Sequence, residues 1–350
     1  MILRPALILF VFCTGAAAQL TTAKPEDVGF SPRKLEAFRA WLSANDTTSF
    51  AVAVDGKKIF EYGDQHKLTY LASARKTLLA VLYGSYVEDG TIDLKKTLRD
   101  VGINDVGGLH EQELSATVAD VIGARSGVYH AASNSGDDTA SAPPRNSQKP
   151  GTYFLYNNWD FNAAGAIFEK ATGKNIYDSF AVELAAPLGM EDFRRDIQKK
   201  TGDPSKSIHL AYHFTLSVAD MTRAGQLMLQ RGKWAGKQLE PAEWIDRITS
   251  LATPVRDMNP PYRRALGTGQ RWGYGYMVWV WDAPRGDGPF GGAYTAWGVG
   301  GQYITVIPSL RMVVAEKVDT SEDSPHHAGK RWVDEATYMA TLQMLVNAKK

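Results

Sequence analysis

This 350-residue sequence lacks a hydrophobic run long enough to cross a membrane, which takes about 20 apolar residues. The apolar stretch at its N-terminus, Ala6–Cys13, is too short for that role. It follows the positive charge of Arg4 and precedes the small residues Ala16–Ala18, an order typical of secretory signal peptides. We therefore predict a signal peptide over residues 1–18 and an exported protein, periplasmic or secreted, with no membrane span.

Cysteine is nearly absent too, since the single cysteine, Cys13, lies within this predicted signal peptide. After cleavage the chain would contain no thiol. This excludes disulfide bonds, a cysteine nucleophile and cysteine-ligated metal sites from the mature protein.

The chain also has no large excess of positive or negative charge, because its 39 Lys and Arg residues are balanced by 38 Asp and Glu residues. A nearly neutral chain has no general attraction for a polyanion, so we predict no nucleic acid partner. The hydrophobic fraction of 44% and the charged fraction of 22% are ordinary for a folded globular protein. The length suits one large domain or two closely packed ones.

Secondary-structure signals change along the chain. Ser31-Pro32 predicts the start of an amphipathic helix, and two apolar runs around Asp55-Gly56 predict a β-hairpin. The other predicted elements are helices over residues 73–88, 117–124, 159–171, 176–188 and 217–229, strands over 275–281, 303–307 and 312–318, and a closing helix over 331–346. Strands near both ends with helices between them predict one α/β unit, completed by both termini, that carries a helical insertion.

Ser73-Ala74-Arg75-Lys76 begins the predicted helix over residues 73–88. A spacing of three places the serine and the lysine on the same helix face. A serine hydroxyl becomes a nucleophile when a neighbouring base removes its proton, and burial can keep a lysine neutral enough to act as that base. The helix N-terminus adds backbone N–H groups and positive potential near the developing oxyanion. The pattern predicts Ser73 as a nucleophile that Lys76 activates.

The same spacing occurs a second time, in Ser31-Pro32-Arg33-Lys34. Short motifs of this kind arise by chance, and this copy is better explained as a helix cap, because no hairpin precedes it to frame a pocket. For Ser73 the alternative is likewise a capping serine beside a solvated lysine. Two further segments favour the catalytic interpretation.

Those segments are Tyr156-Asn157-Asn158, at the start of a predicted helix, and Trp297-Gly298-Val299-Gly300-Gly301-Gln302, which leads into a predicted strand. Together with the Ser73 segment, and in this order, they resemble the motifs of the serine β-lactamase and penicillin-binding-protein superfamily. The resemblance covers essentially the whole chain after the predicted signal peptide.

The resemblance implies a β-lactamase/transpeptidase-like α/β (α+β) fold, in which helices flank an antiparallel sheet and a mostly helical domain is inserted. The catalytic domain would span residues 19–350. Its α/β part would comprise about residues 25–72 and 208–350, and its helical insert about residues 73–207.

Carried over to this sequence, the resemblance also implies a set of roles. Ser73 would be acylated and Lys76 would accept its proton. Tyr156 would share the base role, its pKa lowered by the lysine ammonium, and would protonate the leaving group. Asn158 would orient the lysine and the substrate, and the backbone N–H groups of Ser73 and Val299 would form the oxyanion hole.

The third motif departs from the superfamily pattern. Ala296-Trp297-Gly298 stands where penicillin-recognising members carry Lys-Thr-Gly or His-x-Gly, so the glycine is kept and the cation is missing. All three residues are expected to contact the substrate, and the glycine lets it lie against the strand edge. The missing cation puts recognition of a substrate carboxylate in doubt, unless Arg263, Arg264 or Arg271 replaces it. The arrangement is similar to hydrolases of 6-aminohexanoate oligomers and to related esterases.

These features predict a cofactor-free serine hydrolase that cleaves a small-molecule ester, amide or peptide, with the choice between ester and amide left open. The alternatives are a non-catalytic member that binds peptidoglycan fragments or peptides, and a true β-lactamase or D-Ala-D-Ala peptidase. No metal site is predicted, because His209 and His213 lack a carboxylate partner and are interpreted as surface histidines. The sequence leaves the oligomeric state open.

Overall fold

The structure, a computed structural model, describes residues 20–134, 136, 141–259, 271–326 and 332–350. The predicted signal peptide with Cys13, and the candidate residues Arg263 and Arg264, lie outside the described residues. Within them, no helix is both long enough and apolar enough to cross a membrane.

Most strands of the described residues have two or three residues, and the longer ones lie near the two ends of the chain. They are β1 (Thr21–Thr22), β2 (Ser49–Val54), β3 (Lys57–Gly63), β4 (Thr69–Tyr70), β5 (Lys200–Thr201), β6 (Ala211–Tyr212), β7 (Thr215–Leu216), β8 (Lys233–Trp234), β9 (Lys237–Gln238), β10 (Trp272–Tyr274), β11 (Trp279–Trp281), β12 (Tyr294–Gly298), β13 (Gln302–Ile307) and β14 (Met312–Lys317).

The helices are α1 (Pro32–Ala44), α2 (Arg75–Leu82), α3 (Gly84–Glu88), α4 (Glu111–Leu114), α5 (Val118–Ile122), α6 (Asn158–Thr172), α7 (Ile176–Ser179), α8 (Ala186–Leu188), α9 (Val218–Leu229), α10 (Ala242–Ile248) and α11 (Glu335–Asn347). A π-helical turn, Phe180–Ala185, joins α7 to α8.

The central sheet has the order β1-β3-β2-β14-β13-β12-β11-β10, and every pair in it is antiparallel except β1 with β3. Strand β2 pairs with β14, so segments from both ends of the chain complete one sheet. All residues of β2, β13 and β14 are buried, which requires cover on both faces. The predicted antiparallel sheet flanked by helices is therefore confirmed.

Different helices cover the two faces of this sheet. On one face Phe38 of α1 packs against Phe50, with ring centroids 5.3 Å apart, and Tyr338 of α11 stacks on Tyr303 at 3.7 Å. On the other face lies α9, where a Cβ built on Gly225 would come within 2.5 Å of the Val313 side chain. A glycine at this position lets α9 approach the sheet closely.

The mostly helical segment between β4 and β7 begins and ends at the same place beside the sheet. Strand β4 pairs with β7, with Thr69 opposite Leu216 and Tyr70 opposite Thr215. The chain between these strands contains α2 to α8, and it resumes with α9 directly after β7. This pairing brackets the helical segment and places the start of α2 next to the sheet.

The strand predicted over residues 275–281 forms only over Trp279–Trp281, because the chain turns back on itself just before them. Strands β10 and β11 pair antiparallel, with Tyr274 opposite Trp279. The turn between them fits closely: a Cβ on Gly275 would lie 2.8 Å from the Ser250 carbonyl oxygen, and Met277 has a φ of 55°. Apolar turn residues made this reversal look like continuous strand in the sequence.

Candidate active site

Ser73 lies in a strained turn rather than in the first turn of a regular helix. Ala72–Ala74 form a 3-10 turn, and α2 begins at Arg75. Ala72 has a φ of 47°, a left-handed conformation that costs free energy for a residue with a Cβ. The backbone N–H of Leu71 donates to the Phe214 carbonyl at 2.9 Å, which ties the turn to the chain beside β7. Tertiary contacts therefore hold the serine in place.

Lys76 is buried, with 1% of its surface exposed, and its Nζ contacts every other polar side chain predicted for the reaction. It donates to Ser73 Oγ at 3.0 Å, to Tyr156 OH at 2.6 Å and to Asn158 Oδ1 at 3.0 Å. The Nζ also lies 4.2 Å from the ring centroid of Tyr156 and 4.3 Å from that of Phe161. Three acceptors match the three N–H groups of an ammonium, so the lysine is held rigidly beside the serine.

Tyr156 and Asn158 reach Lys76 from the segment that enters α6. Asn157 caps this helix, since its side chain accepts a hydrogen bond from the Asp160 N–H at 2.9 Å. Asn158 is the first residue of α6, and Tyr156 lies just before the cap. The cap fixes the direction of the chain, which lets residues on both sides of Asn157 point at one lysine.

The pKa of Tyr156 moves in the direction opposite to the one the sequence suggested. Burial raises the pKa of Tyr156 to about 12, although a hydrogen bond with Ser73 and the charge of Arg75 act to lower it. The net shift is upward because the loss of hydration outweighs these two favourable groups, and the effect of the lysine ammonium on this pKa stays a prediction. The phenol is protonated at neutral pH in the free protein.

Gly298 brings the end of β12 against the serine turn. A Cβ at Gly298 would collide with the Leu71 carbonyl oxygen and would lie 3.1 Å from the Ala74 nitrogen. Only a glycine fits this approach. Val299 follows directly and lines the cavity with 65% of its surface exposed. The two backbone N–H groups predicted for the oxyanion hole thus come from the two segments that touch at Gly298.

Ala296 and Trp297 lie on opposite faces of β12, since side chains alternate along a strand. Trp297 lines the cavity and stands 5.2 Å from Trp279, ring centroid to ring centroid. Ala296 shares the face of Gly298, is 1% exposed and does not line the cavity. Its role as a substrate contact stays a prediction.

The cavity in front of Ser73 has a volume of about 270 Å³ and a largely aromatic wall. The aromatic lining residues are Tyr156, Trp279, Trp297, Tyr303 and Trp332. Asp334 and Glu335, at the start of α11, add two carboxyl groups, and burial raises the pKa of Glu335 to about 7. Among the described lining residues there is no lysine or arginine, and Arg271 does not line the cavity.

Sequence reasoning missed Trp279, Tyr303 and Trp332 as site residues. Trp279 and Tyr303 lie in strands where alternation predicts only packing, and Trp332 precedes α11 without any motif around it. They meet at the cavity because α11 folds back over the end of β13. Local sequence patterns do not predict a contact between segments so far apart in the chain.

The two histidines considered as metal ligands are held by other contacts. His209 is 7% exposed, and its Nε2 lies 2.9 Å from the Asn104 carbonyl oxygen, so its interpretation as a surface residue is wrong. His213 Nε2 lies 2.6 Å from Thr201 Oγ1. In the described part of the chain, no three His, Asp or Glu side chains are grouped so that they could hold a metal ion.

A protein-family model described as Beta-lactamase matches residues 43–334 of this chain. A comparison with curated proteins finds no match. The family match spans the serine turn, the Lys76 contacts and the Gly298 segment, and it confirms the predicted resemblance.

Solved structures with similar folds have low sequence identity to this chain. One, assigned as a 6-aminohexanoate-dimer hydrolase from Bacillus anthracis, is 19% identical with a TM-score of 0.65, covering 94% of this chain and 87% of that chain. A family VIII carboxylesterase is 14% identical with a TM-score of 0.64, covering 94% and 99%. A beta-lactamase from Mycobacterium bovis is 18% identical with a TM-score of 0.58, covering 91% and 100%. At these identities the likeness concerns the fold.

Proposed function

This chain belongs to the beta-lactamase family, and from that premise we propose that it is a serine hydrolase that cleaves an ester or amide through an acyl-enzyme on Ser73. The observation that carries the proposal is the position of Lys76, whose Nζ lies 3.0 Å from Ser73 Oγ and 2.6 Å from Tyr156 OH. Peptide binding alone does not require a buried lysine between a serine and a tyrosine, whereas proton transfer from the serine does.

The proposed reaction needs the Lys76–Tyr156 pair to have lost one proton. Ser73 Oγ attacks the carbonyl carbon while its proton passes to the pair. The backbone N–H groups of Ser73 and Val299 bind the oxyanion. As the tetrahedral intermediate collapses, the pair returns the proton to the leaving alcohol or amine. Water then attacks the acyl-enzyme by the same steps, and Ser73 regains its proton.

The cavity supports a substrate with an apolar or planar group and no carboxylate next to the scissile bond. Its wall is aromatic, Asp334 and Glu335 add carboxyl groups, and the described lining contains no cation. Ala296 also stands where penicillin-recognising members carry one. A charge-assisted hydrogen bond contributes about 1.5 to 3 kcal/mol, so its loss weakens β-lactam recognition by about one to two powers of ten.

The test uses the mature protein with a fluorophosphonate, p-nitrophenyl butyrate and the cephalosporin nitrocefin. We expect mass spectrometry to find the label on Ser73, and kcat/KM to be higher for the ester than for nitrocefin. Nitrocefin turnover equal to the ester rate would favour the true β-lactamase or D-Ala-D-Ala peptidase. Absence of both label and turnover would refute the hydrolase and favour the peptidoglycan- or peptide-binding alternative.

We also propose that the protein acts after export, in the periplasm or outside the cell. The support is the signal-peptide pattern of residues 1–18. N-terminal sequencing of the protein secreted by its native host should begin near Gln19, and a mature protein that retains Arg4 would contradict export by this route.

A further inference from the structure

Arg75 lies between the nucleophile and its lysine, yet it points elsewhere. Successive helical residues project about 100° apart, and Arg75 does not line the cavity that Ser73 faces. Its side chain is 2% exposed. A guanidinium remains charged in proteins, so a full positive charge is buried directly behind the catalytic groups.

The contacts of Arg75 do not neutralise this charge. Its Nη2 lies 3.4 Å from Asn162 Oδ1, and its Cζ lies 4.5 Å from the ring centroid of Tyr212. Among the described residues, the Nε and Nη1 groups meet no acceptor with good hydrogen-bond geometry. The neutral hydroxyls of Tyr70 and Tyr212 interact with Arg75, which acts to lower their pKa, and no carboxylate there accepts a bond from Arg75. Removing a charge from water without a counter-charge costs free energy of folding. A functional role for Arg75 would explain why the chain carries this cost.

Arg75 is fixed relative to the proton-transfer pair by helix α6. Asn158 accepts a hydrogen bond from Lys76, and Asn162, one turn further along the same helix, contacts Arg75. Two neighbouring cations of one helix thus lie against two amides of another. The distance between the charge of Arg75 and the Lys76–Tyr156 pair is therefore set by the packing of two helices.

The titratable side chains whose pKa values are affected by the charge of Arg75 are mostly neutral. They are Tyr70, Tyr156, Tyr177, Tyr212 and His213. Burial and the charge of Arg75 lower the pKa of His213 to about 4, so this histidine adds no charge at neutral pH. Lys199 is a further cation near His213. Glu169, the carboxylate that acts on Tyr177, pairs with Lys200 rather than with Arg75.

We propose that Arg75 is a positioning residue of the active site: its buried charge, which pairs with no carboxylate of the described residues, favours the deprotonated form of the Lys76–Tyr156 pair, so the pair accepts the Ser73 proton at lower pH than burial alone would allow. The proposal rests on the proposed function, because it requires Ser73 as the nucleophile. Like charge disfavours the ammonium of Lys76, and opposite charge favours the phenolate of Tyr156. Both effects act in the same direction.

The experiment measures the rate of fluorophosphonate labelling of Ser73 as a function of pH. In Arg75→Met we expect the rising limb of the profile to move to higher pH by about one unit or more. The variant should be about tenfold slower at neutral pH and should approach the wild type at high pH. Arg75→Lys keeps the charge and should restore most of the wild-type profile. The matched control is Arg33→Met, since Arg33 holds the same place in the exposed Ser31–Lys34 segment.

A second variant tests the charge without removing the arginine. Asn162→Asp places a carboxylate where the Oδ1 atom already lies 3.4 Å from Nη2, and it should move the limb in the same direction as Arg75→Met. A loss of rate that is equal at every pH in these variants would overturn the proposal and leave Arg75 a packing residue. Absence of label on Ser73 in the wild type would instead overturn the proposed function, and this inference with it.

Discussion

Two segments of this chain share the pattern Ser-x-Arg-Lys, and they end up in opposite environments. In the first, Ser31 Oγ accepts a hydrogen bond from the Lys34 backbone N–H at 3.4 Å, and Lys34 Nζ donates to the Asn347 carbonyl oxygen at 2.7 Å on the surface. In the second, the buried Lys76 Nζ contacts the serine itself. Equal spacing places the two groups one turn apart in both cases. Burial and neighbouring side chains decide whether the result is a helix cap or a serine held beside a buried lysine.

The backbone before each serine explains the difference. Ser31 is extended, with φ −89° and ψ 116°, and Pro32 begins α1, so the serine caps the helix. Ser73 instead follows Ala72 in a left-handed conformation, within a turn tied to the chain beside β7. In this extended conformation the Ser31 side chain caps α1. A turn packed against two strands can present its hydroxyl to a cavity.

Removing each hydroxyl in turn should give the largest difference between the two segments. Ser73→Ala should abolish ester turnover and fluorophosphonate labelling, because no other group supplies the attacking oxygen. Ser31→Ala should leave both unchanged. The measurement is p-nitrophenyl butyrate hydrolysis together with mass spectrometry of the labelled peptide. A label on Ser31, or turnover by Ser73→Ala near the wild-type rate, would contradict the assignment.

The two lysines offer the next contrast. Lys76→Met and Tyr156→Phe should each lower the rate of ester hydrolysis by about 10³-fold, and the double variant should lose little more, because groups that act as one unit are not additive. Lys34→Met should retain wild-type activity. Rates measured for the single and double variants decide the matter. Losses that multiply would show that Lys76 and Tyr156 act independently.

The burial of the second segment should also affect how kcat/KM depends on pH. Burial raises the pKa of Tyr156 to about 12, so the phenol is protonated at neutral pH and the fraction that can accept a proton rises with pH. We therefore expect kcat/KM for p-nitrophenyl butyrate to rise between about pH 7 and pH 10, by up to about tenfold per unit. Rates corrected for uncatalysed hydrolysis test this. A profile that is flat or falls over this range would contradict the role of the buried pair as base.

The smallest expected effect concerns the cap itself. Ser31→Ala removes the oxygen that accepts the Lys34 N–H, and loss of a capping serine lowers the free energy of unfolding by about 1 kcal/mol. Urea denaturation of the two serine variants measures the difference. Ser73→Ala should show no comparable loss, since Ser73 does not cap α2. Equal destabilisation by both substitutions would contradict the conclusion that Ser31 caps its helix and Ser73 does not.

Local signals accounted for much of the fold. The Ser31-Pro32 start of α1 and the hairpin of β2 and β3 form as predicted, because caps, turns and alternation depend on residues close in sequence. The strand predicted over residues 275–281 is shorter than predicted, because its first four residues form an apolar turn that only Gly275 marked in the sequence. Contacts of that turn with the chain near Ser250 decide its shape.

The one-turn spacing of Ser73 and Lys76 can be read directly from the sequence, and the family resemblance adds Tyr156 and Asn158 as their partners. The packing of distant segments brings Trp332 into the cavity wall, raises the pKa of Tyr156 by burial, and encloses Arg75 where no carboxylate of the described residues accepts its hydrogen bonds. The two kinds of feature differ in the range of the interactions that set them. Spacing and caps are set by neighbours in the chain, whereas hydration and charge balance depend on every segment that packs against a group.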